Sequence, residues 1–230
     1  MSCDGQPLEL AGAGRVLFTS RAEGNMSSVG GDGAQDGALA RERLRRQIGV
    51  RALARGHQVH GTAVTRVVEL PAQDADAPPV SADGQATALA GVAAMVLAAD
   101  CLPVALGTRG AVAMVHAGWR GLAAGVLAEG VRALRELAPG ARAGGIVAVI
   151  GPGAGACCYE VGAEVQRAFP GAHHRARTID LRAIAREQLD AAGVSAVRAV
   201  GGCTICDERY FSHRREGVRA GRQAGVAWLS

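Results

Sequence analysis

Residues 95–118, MVLAADCLPVALGTRGAVAMVHAG, carry the reading that decides the fold. Two apolar runs flank Gly107-Thr108-Arg109-Gly110, which reads as a two-residue hairpin turn. With Thr108 and Arg109 at the turn, Cys101 and His116 stand directly opposite each other on paired strands. Cross-strand Cβ atoms lie about 4.5–5.5 Å apart, a span that one tetrahedral metal bridges. Pro103 confines the first strand to an edge or to non-donating positions, and a one-residue slip would send the two side chains to opposite faces.

Upstream, HQVHG (57–61) supplies a third donor. His60 sits against Gly61, where backbone approaches closely; His57 reads as a surface residue, and Gln58 as a substrate contact or a turn stabiliser. One Cys and two His beside glycine or proline match a catalytic zinc that keeps one position open for water or substrate. The plain alternative is that each is separately a core or turn residue.

Working outward, the pattern gives a strand over 15–19, a polar Gly-rich loop over 21–36 that serves as a lid or as surface, and a helix over 39–48. A strand over 63–69 precedes the Pro- and Asp-rich connection PAQDADAPPVSADG. A single amphipathic helix is expected over 122–137, a buried strand over 146–150, and helices over 162–169 and, capped by Asp180, over 181–192. Strands over 197–200 and 226–229 follow. Strands and helices mix without regular βαβ alternation, so the expected class is a mixed-sheet α+β (α/β layered) fold. Residues 1–230 read as a single catalytic domain, with 1–13 as a flexible lead-in.

All 25 basic residues are Arg. Without lysine, Schiff-base and pyridoxal phosphate chemistry are excluded, and side-chain anion sites must be guanidinium forks. Arg120, at a strand-to-helix junction, Arg21 in the Gly-rich loop and Arg214 in FSHRR are the candidates for phosphate or carboxylate. The net charge of +4 is mild, and Arg41, Arg43, Arg45 and Arg46 fall on a helix as a solvated face, so no nucleic-acid partner is expected. Six Cys with no secretion signal and no apolar run of membrane length point to a cytoplasmic protein with reduced thiols and no membrane partner. Cys203 and Cys206 form a lone CxxC without a second half, which with Cys157 and Cys158 makes only a weak candidate for a second zinc site, since the adjacent pair is not expected to share one tetrahedral site. The default for all four is a small buried thiol.

FTSR, HQVHGTAV, ADGQAT, ADCLPV, HAGWRG, GPGAGACCYEVG, GCT, FSHRREG and GRQA, in this order from Phe18 onward, resemble the laccase-like polyphenol oxidase family. Its members are described as purine nucleoside phosphorylases with adenosine deaminase and methylthioadenosine phosphorylase activity, and include the peptidoglycan editing factor. The resemblance implies a zinc site at His60, Cys101 and His116 and a layered fold in which helices sandwich mixed sheets around a Cys–His cleft. AEGNMSSVGGDG (22–33) is shorter than the family's segment, and Ala40-Arg41 stands where the family has Asn-Arg.

The first functional expectation is phosphorolysis of adenosine, inosine or methylthioadenosine with zinc as cofactor, together with deamination of adenosine. Cys101, His60, His116 and Arg120 carry the chemistry, and Arg21, Gln58, Glu160 and Arg214 hold substrate and phosphate; Asp100, Glu160 and His57 are candidates for proton transfer. The second is a Cys–His hydrolase that edits peptidoglycan precursors, with Cys101 as nucleophile and His116 as base. Copper is disfavoured because the six His include no His-x-His pair. A monomer or weak homo-oligomer is expected.

Overall fold

The central runs are apolar without interruption because their strands are covered on both faces, which removes the alternation of a half-solvated strand. The computed structural model describes residues 5–71, 80–140, 145–171, 174–175 and 177–230. In chain order the strands are β1 (Leu8–Glu9), β2 (Gly14–Phe18), β3 (Ala52–Ala54), β4 (Val64–Val67), β5 (Gly84–Thr87), β6 (Val92–Ala98), β7 (Leu102–Thr108), β8 (Ala111–Ala117), β9 (Val147–Ile150), β10 (His174–Arg175), β11 (Thr178–Ile179), β12 (Ala196–Ala199) and β13 (Gln223–Leu229). The helices are α1 (Gly37–Gln47), α2 (Trp119–Ala124), α3 (Val126–Leu137), α4 (Ala163–Ala168), α5 (Leu181–Ala191) and α6 (His213–Glu216).

One sheet runs β1-β2-β13-β6-β3 and a second runs β12-β9-β7-β8-β5-β4, with β10 and β11 as a separate ribbon. Both large sheets are mixed: β3 lies parallel to β6 in the first, and β4 to β5 and β12 to β9 in the second, among antiparallel neighbours. The sheets stack face to face. Val16, Phe18, Ala94, Val96 and Ala227 of the first meet Ala105, Val112, Met114 and Val149 of the second. Alternate residues face outward. Leu17, Met95, Val226 and Trp228 pack on Ala40 and Leu44 of α1, whereas Val104, Leu106 and Val115 pack on Val126, Leu127, Val131 and Leu134 of α3 and on Leu181 and Ile184 of α5. The result is the expected layered domain, mixed sheets between helices. Small residues let the sheets approach: a Cβ at Gly225 would come within 2.8 Å of Pro103 and 2.9 Å of the Met114 sulfur.

The hairpin of β7 and β8 forms, but its register differs from expectation. Thr108 pairs with Ala111 and Pro103 with His116, so the turn is Arg109-Gly110. Gly110 has φ 92°, a left-handed corner that glycine takes without steric cost, whereas Thr108 stays in the strand. Moving the turn by one residue leaves Cys101 and His116 as diagonal rather than direct partners.

The helix expected over 122–137 is two helices, α2 and α3, broken at Gly125 with φ 89°. Asp180 caps α5 as expected, its side chain accepting from the N–H groups of Arg182 and Ala183. In the lead-in, β1 pairs with β2. The Pro- and Asp-rich connection lies largely outside the described residues. Twice the chain crosses between the sheets near the site, through 55–63 from β3 to β4 and through 99–101 from β6 to β7.

Candidate metal centre and active-site cleft

The centre forms where those two crossings meet the end of β8. His60 and Cys101 lie one on each crossing, and His116 is the penultimate residue of β8. A donor atom from each of the three lies within 4.8 Å of the others. The imidazoles of His60 and His116 stand edge to face, with centroids 4.9 Å apart.

Asp83, fully buried before β5, organises the set. Its carboxylate accepts from the N–H groups of Val59 (3.1 Å), His60 (2.9 Å) and Gly61 (2.7 Å), and lies 2.8 Å from His116 Nδ1. Engagement of Nδ1 leaves His116 Nε2 for a metal or substrate, the arrangement by which carboxylates orient metal-binding imidazoles. His60 has φ 59°, a left-handed conformation that costs a non-glycine residue about 1–2 kcal/mol. The three amides converging on Asp83 hold it there.

Asp100, at φ 95°, turns the second crossing. Its carboxylate accepts from Thr204 Oγ1 (2.7 Å) and from the Arg214 N–H (2.8 Å), which fixes the backbone before Cys101. Gly118 closes the far side: a Cβ there would lie 2.9 Å from Cys101 Sγ and 3.0 Å from His60 Cδ2. The glycine of HAGWRG is therefore required by close approach, its φ of −74° being open to any residue.

Burial pushes the Cys101 thiol up, but the charge of His116 and hydrogen bonds from His116 and His60 outweigh it and hold the thiol at about 6. Burial likewise pulls His116 down, and the Cys101 charge and the Asp83 hydrogen bond raise it to about 9. As protein groups alone, the two are a thiolate–imidazolium pair. A thiolate and two oriented imidazoles are a donor set that fits zinc and leaves a fourth position.

That position faces a cleft of about 920 Å³ whose wall includes His57, Trp119, Arg120, Tyr159, His213 and Arg214. The Arg120 guanidinium stacks on the Trp119 ring, 4.3 Å from its centroid, and has no hydrogen bond or ion pair among the described residues. Arg214 lies 4.9 Å from the Tyr159 centroid and donates to the Glu160 carbonyl (2.7 Å). Burial, reinforced by the Cys101 charge, pushes the Tyr159 phenol up to about 12, so it stays protonated at neutral pH.

Of the residues that the sequence nominates for this cleft, Arg120, Arg214 and Gln58 line it, whereas Arg21 and Glu160 do not. Gln58 lines the cleft, but its amide donates to the Leu97 carbonyl (2.7 Å) and accepts from the Leu97 N–H (2.8 Å), tying the first crossing to β6. Arg21 stacks on Phe211, donates to the Tyr210 carbonyl and pairs with Glu216, away from the cleft wall. Glu160 is exposed, with its carboxylate 3.6 Å from Arg177. Asp100 holds backbone in place of a free proton-transfer role, and His57 is exposed, as expected. Sequence reasoning does not single out Asp83 or Tyr159. An aspartate inside an otherwise apolar strand entry, Ala82-Asp83-Gly84, is the available signal for the first. The four cysteines expected to be isolated buried thiols instead converge, with Cys157 and Cys206 exposed.

The sequence pattern of the family described as multi-copper polyphenol oxidoreductase laccase matches residues 13–230. The chain belongs to this family. It is 41% identical over 227 residues to a protein of Xylella fastidiosa named purine nucleoside phosphorylase, covering 90% of this chain and 84% of that one. A Corynebacterium glutamicum protein of the same name is 37% identical over 94% of each chain. The fold is that of a Neisseria meningitidis family protein (TM-score 0.80, 31% identity, 97% of this chain and 99% of that one) and of YlmD from Geobacillus stearothermophilus (TM-score 0.82, 29% identity, 94% and 92%). Among the described residues no helix is long and apolar enough to cross a membrane.

Proposed function

We propose that this laccase-family protein is a purine nucleoside phosphorylase whose single catalytic domain uses zinc at His60, Cys101 and His116. The observation that carries the reading is the open side of this donor set, facing a cleft lined by Arg214 and by the Arg120 guanidinium, which has no hydrogen bond or ion pair among the described residues. The names of the relatives at 41% and 37% identity agree with it.

Phosphorolysis of an N-glycosidic bond passes through an oxocarbenium-like centre, so phosphate must be held against C1′ while the base departs with a proton. Arg120 and Arg214 grip phosphate oxygens in the plane that guanidinium forks prefer. The Trp119 stack fixes Arg120 in advance, which reduces the ordering cost of binding. The protonated Tyr159 hydroxyl donates a hydrogen bond to an anionic oxygen or to the leaving purine. Zinc held by His60, Cys101 and His116 would supply Lewis-acid chemistry at the open side of the cleft, which suits phosphorolysis and, as a second activity, deamination of adenosine. The two imidazoles and one thiolate here are few for a multicopper centre.

Incubation of the zinc-loaded chain with adenosine and inosine, with and without phosphate, tests the reading. Phosphate-dependent appearance of adenine or hypoxanthine with ribose 1-phosphate is expected; intact zinc without phosphate-dependent cleavage would sink it. Ammonia released from adenosine alone would report the deaminase.

The thiolate–imidazolium character of Cys101 and His116 favours a second reading, a Cys–His hydrolase of amide substrates such as peptidoglycan precursors. The two readings separate on metal content. A stoichiometric zinc at Cys101 quenches its nucleophilicity, whereas alkylation of Cys101 in an active, metal-free chain would favour the hydrolase.

A further inference from the structure

Away from the cleft's donor set, the loops 153–160 and 200–207 meet at four sulfurs. Those of Cys157, Cys158, Cys203 and Cys206 all lie within 4.8 Å of one another. The loops are joined by backbone as well: Gly153 and Cys203 form a bridge, and Thr204 N–H donates to the Gly153 carbonyl (3.1 Å). We propose that these four cysteines form a separate, closed metal site that takes one zinc ion as four thiolates.

Three observations carry the assignment. The first is convergence from two loops. Cys157 and Cys158 lie on a turn closed by the Cys158 and Tyr159 N–H groups donating to the Gly155 carbonyl, and both of their sulfurs reach the CxxC of the other loop. With Zn–S near about 2.3 Å, tetrahedral sulfurs stand about 3.8 Å apart. Cys157 and Cys206 are at 3.4 Å and Cys158 and Cys206 at 2.6 Å, and Cys206 is exposed, with freedom to rotate outward onto an ion.

The second is the environment of Cys203. Its sulfur accepts the Gly155 N–H at 3.1 Å and also faces the backbone N–H groups of Ile205 and Cys206. Amides aimed at one sulfur stabilise a thiolate, and the CxxC turn that supplies two of them is the spacing of structural zinc loops. Gly155 is held to glycine by this packing, since a Cβ would lie 3.0 Å from Cys203 Cβ and 3.3 Å from the sulfurs of both Cys157 and Cys203.

The third is charge. Four thiolates on a divalent ion leave a net charge of about −2, and the Arg182 guanidinium lies under the loop, donating to the Gly201 and Gly202 carbonyls at 3.3 and 2.7 Å. As each Zn–S bond forms, any protonated thiol releases its proton to solvent. A disulfide between Cys158 and Cys206 would use two sulfurs and leave Cys157 and Cys203 gathered with no partner to explain the amides.

The site has no open ligand position, so its role is to fix its loops. Thr204, inside the CxxC, donates to Asp100 beside Cys101, and Tyr159, next to Cys158, lines the cleft.

The test is metal analysis of the full Cys101→Ser chain, purified with a reductant, which lacks one ligand of the cleft centre. One zinc per chain is expected, replaceable by cobalt(II) with the intense charge-transfer absorption of several thiolates. Adding Cys203→Ser and Cys206→Ser, or separately Cys157→Ser and Cys158→Ser, abolishes both signals; circular dichroism identifies which pair leaves the fold intact. No metal in the Cys101→Ser chain, or metal retained after both pairs of substitutions, overturns the site. So does a Cys158–Cys206 disulfide found by alkylation and mass spectrometry.

Discussion

His116 is oriented by Asp83. Its Nδ1 lies 2.8 Å from Asp83 Oδ1, and the two side chains are 4% and 0% exposed. The same carboxylate accepts the amides of residues 59–61, so one buried charge positions two of the three donors.

Asp83→Asn keeps the shape and removes the charge. Partners that orient metal-binding imidazoles are worth about 10–100-fold in affinity or activity. Chelator competition should show zinc affinity at the cleft centre reduced by that range, with turnover falling in parallel; unchanged affinity would mean that the amides alone hold the site.

Gly118→Ala tests the close approach. Its backbone suits alanine, but the added Cβ meets Cys101 Sγ at 2.9 Å. The expected outcome is loss of metal at the cleft with a thermal midpoint close to wild type, measured by metal analysis and calorimetry. Full occupancy with full activity would show that the ligands move aside.

Arg120→Met tests the anion site. A hydrogen bond to a charged group contributes about 1.5–3 kcal/mol, so KM for phosphate should rise roughly 10- to 100-fold. Nucleoside KM should change little. An equal rise in both constants would place Arg120 on the nucleoside instead.

Glu216→Gln addresses stability against pH. Burial pushes the Glu216 carboxyl up, but hydrogen bonds from Arg21, the Ser212 N–H and Arg215 pull it further down, below the usual glutamate range. A depressed folded value means that the contribution is complete above the unfolded value of about 4.3 and is lost as pH falls through the folded one. Urea unfolding should find the variant about 1–3 kcal/mol less stable near neutrality, with the gap closing in acid. A gap independent of pH would assign the loss to packing.

The long elements are legible in the sequence because apolar periodicity survives in them: β2, α1, α5 and β13 lie within a few residues of their expected boundaries. β3 and β5 are not, being short, and β5 holds the polar Gln85 and Thr87 wholly buried. The hairpin is visible, but its turn sits one residue from the expected place because Gly110 outweighs the symmetry of the two glycines. The three donors are legible from residue type. Their organiser is not, since a buried aspartate leaves no periodic trace, and Arg21 and Glu160 are indistinguishable by type from guanidinium and carboxylate groups that do reach a cleft.

The two crossings between the sheets have a mechanical consequence. Because His60 and Cys101 ride on separate crossings and His116 ends β8 of one sheet, the triangle of donors depends on how the two sheets are seated on each other. Gly225 presses on Pro103 and Met114, each two residues from a donor, so a side chain added at Gly225 would be felt at Cys101 and His116 as altered metal affinity, making the centre a strain gauge for the packing of the sandwich.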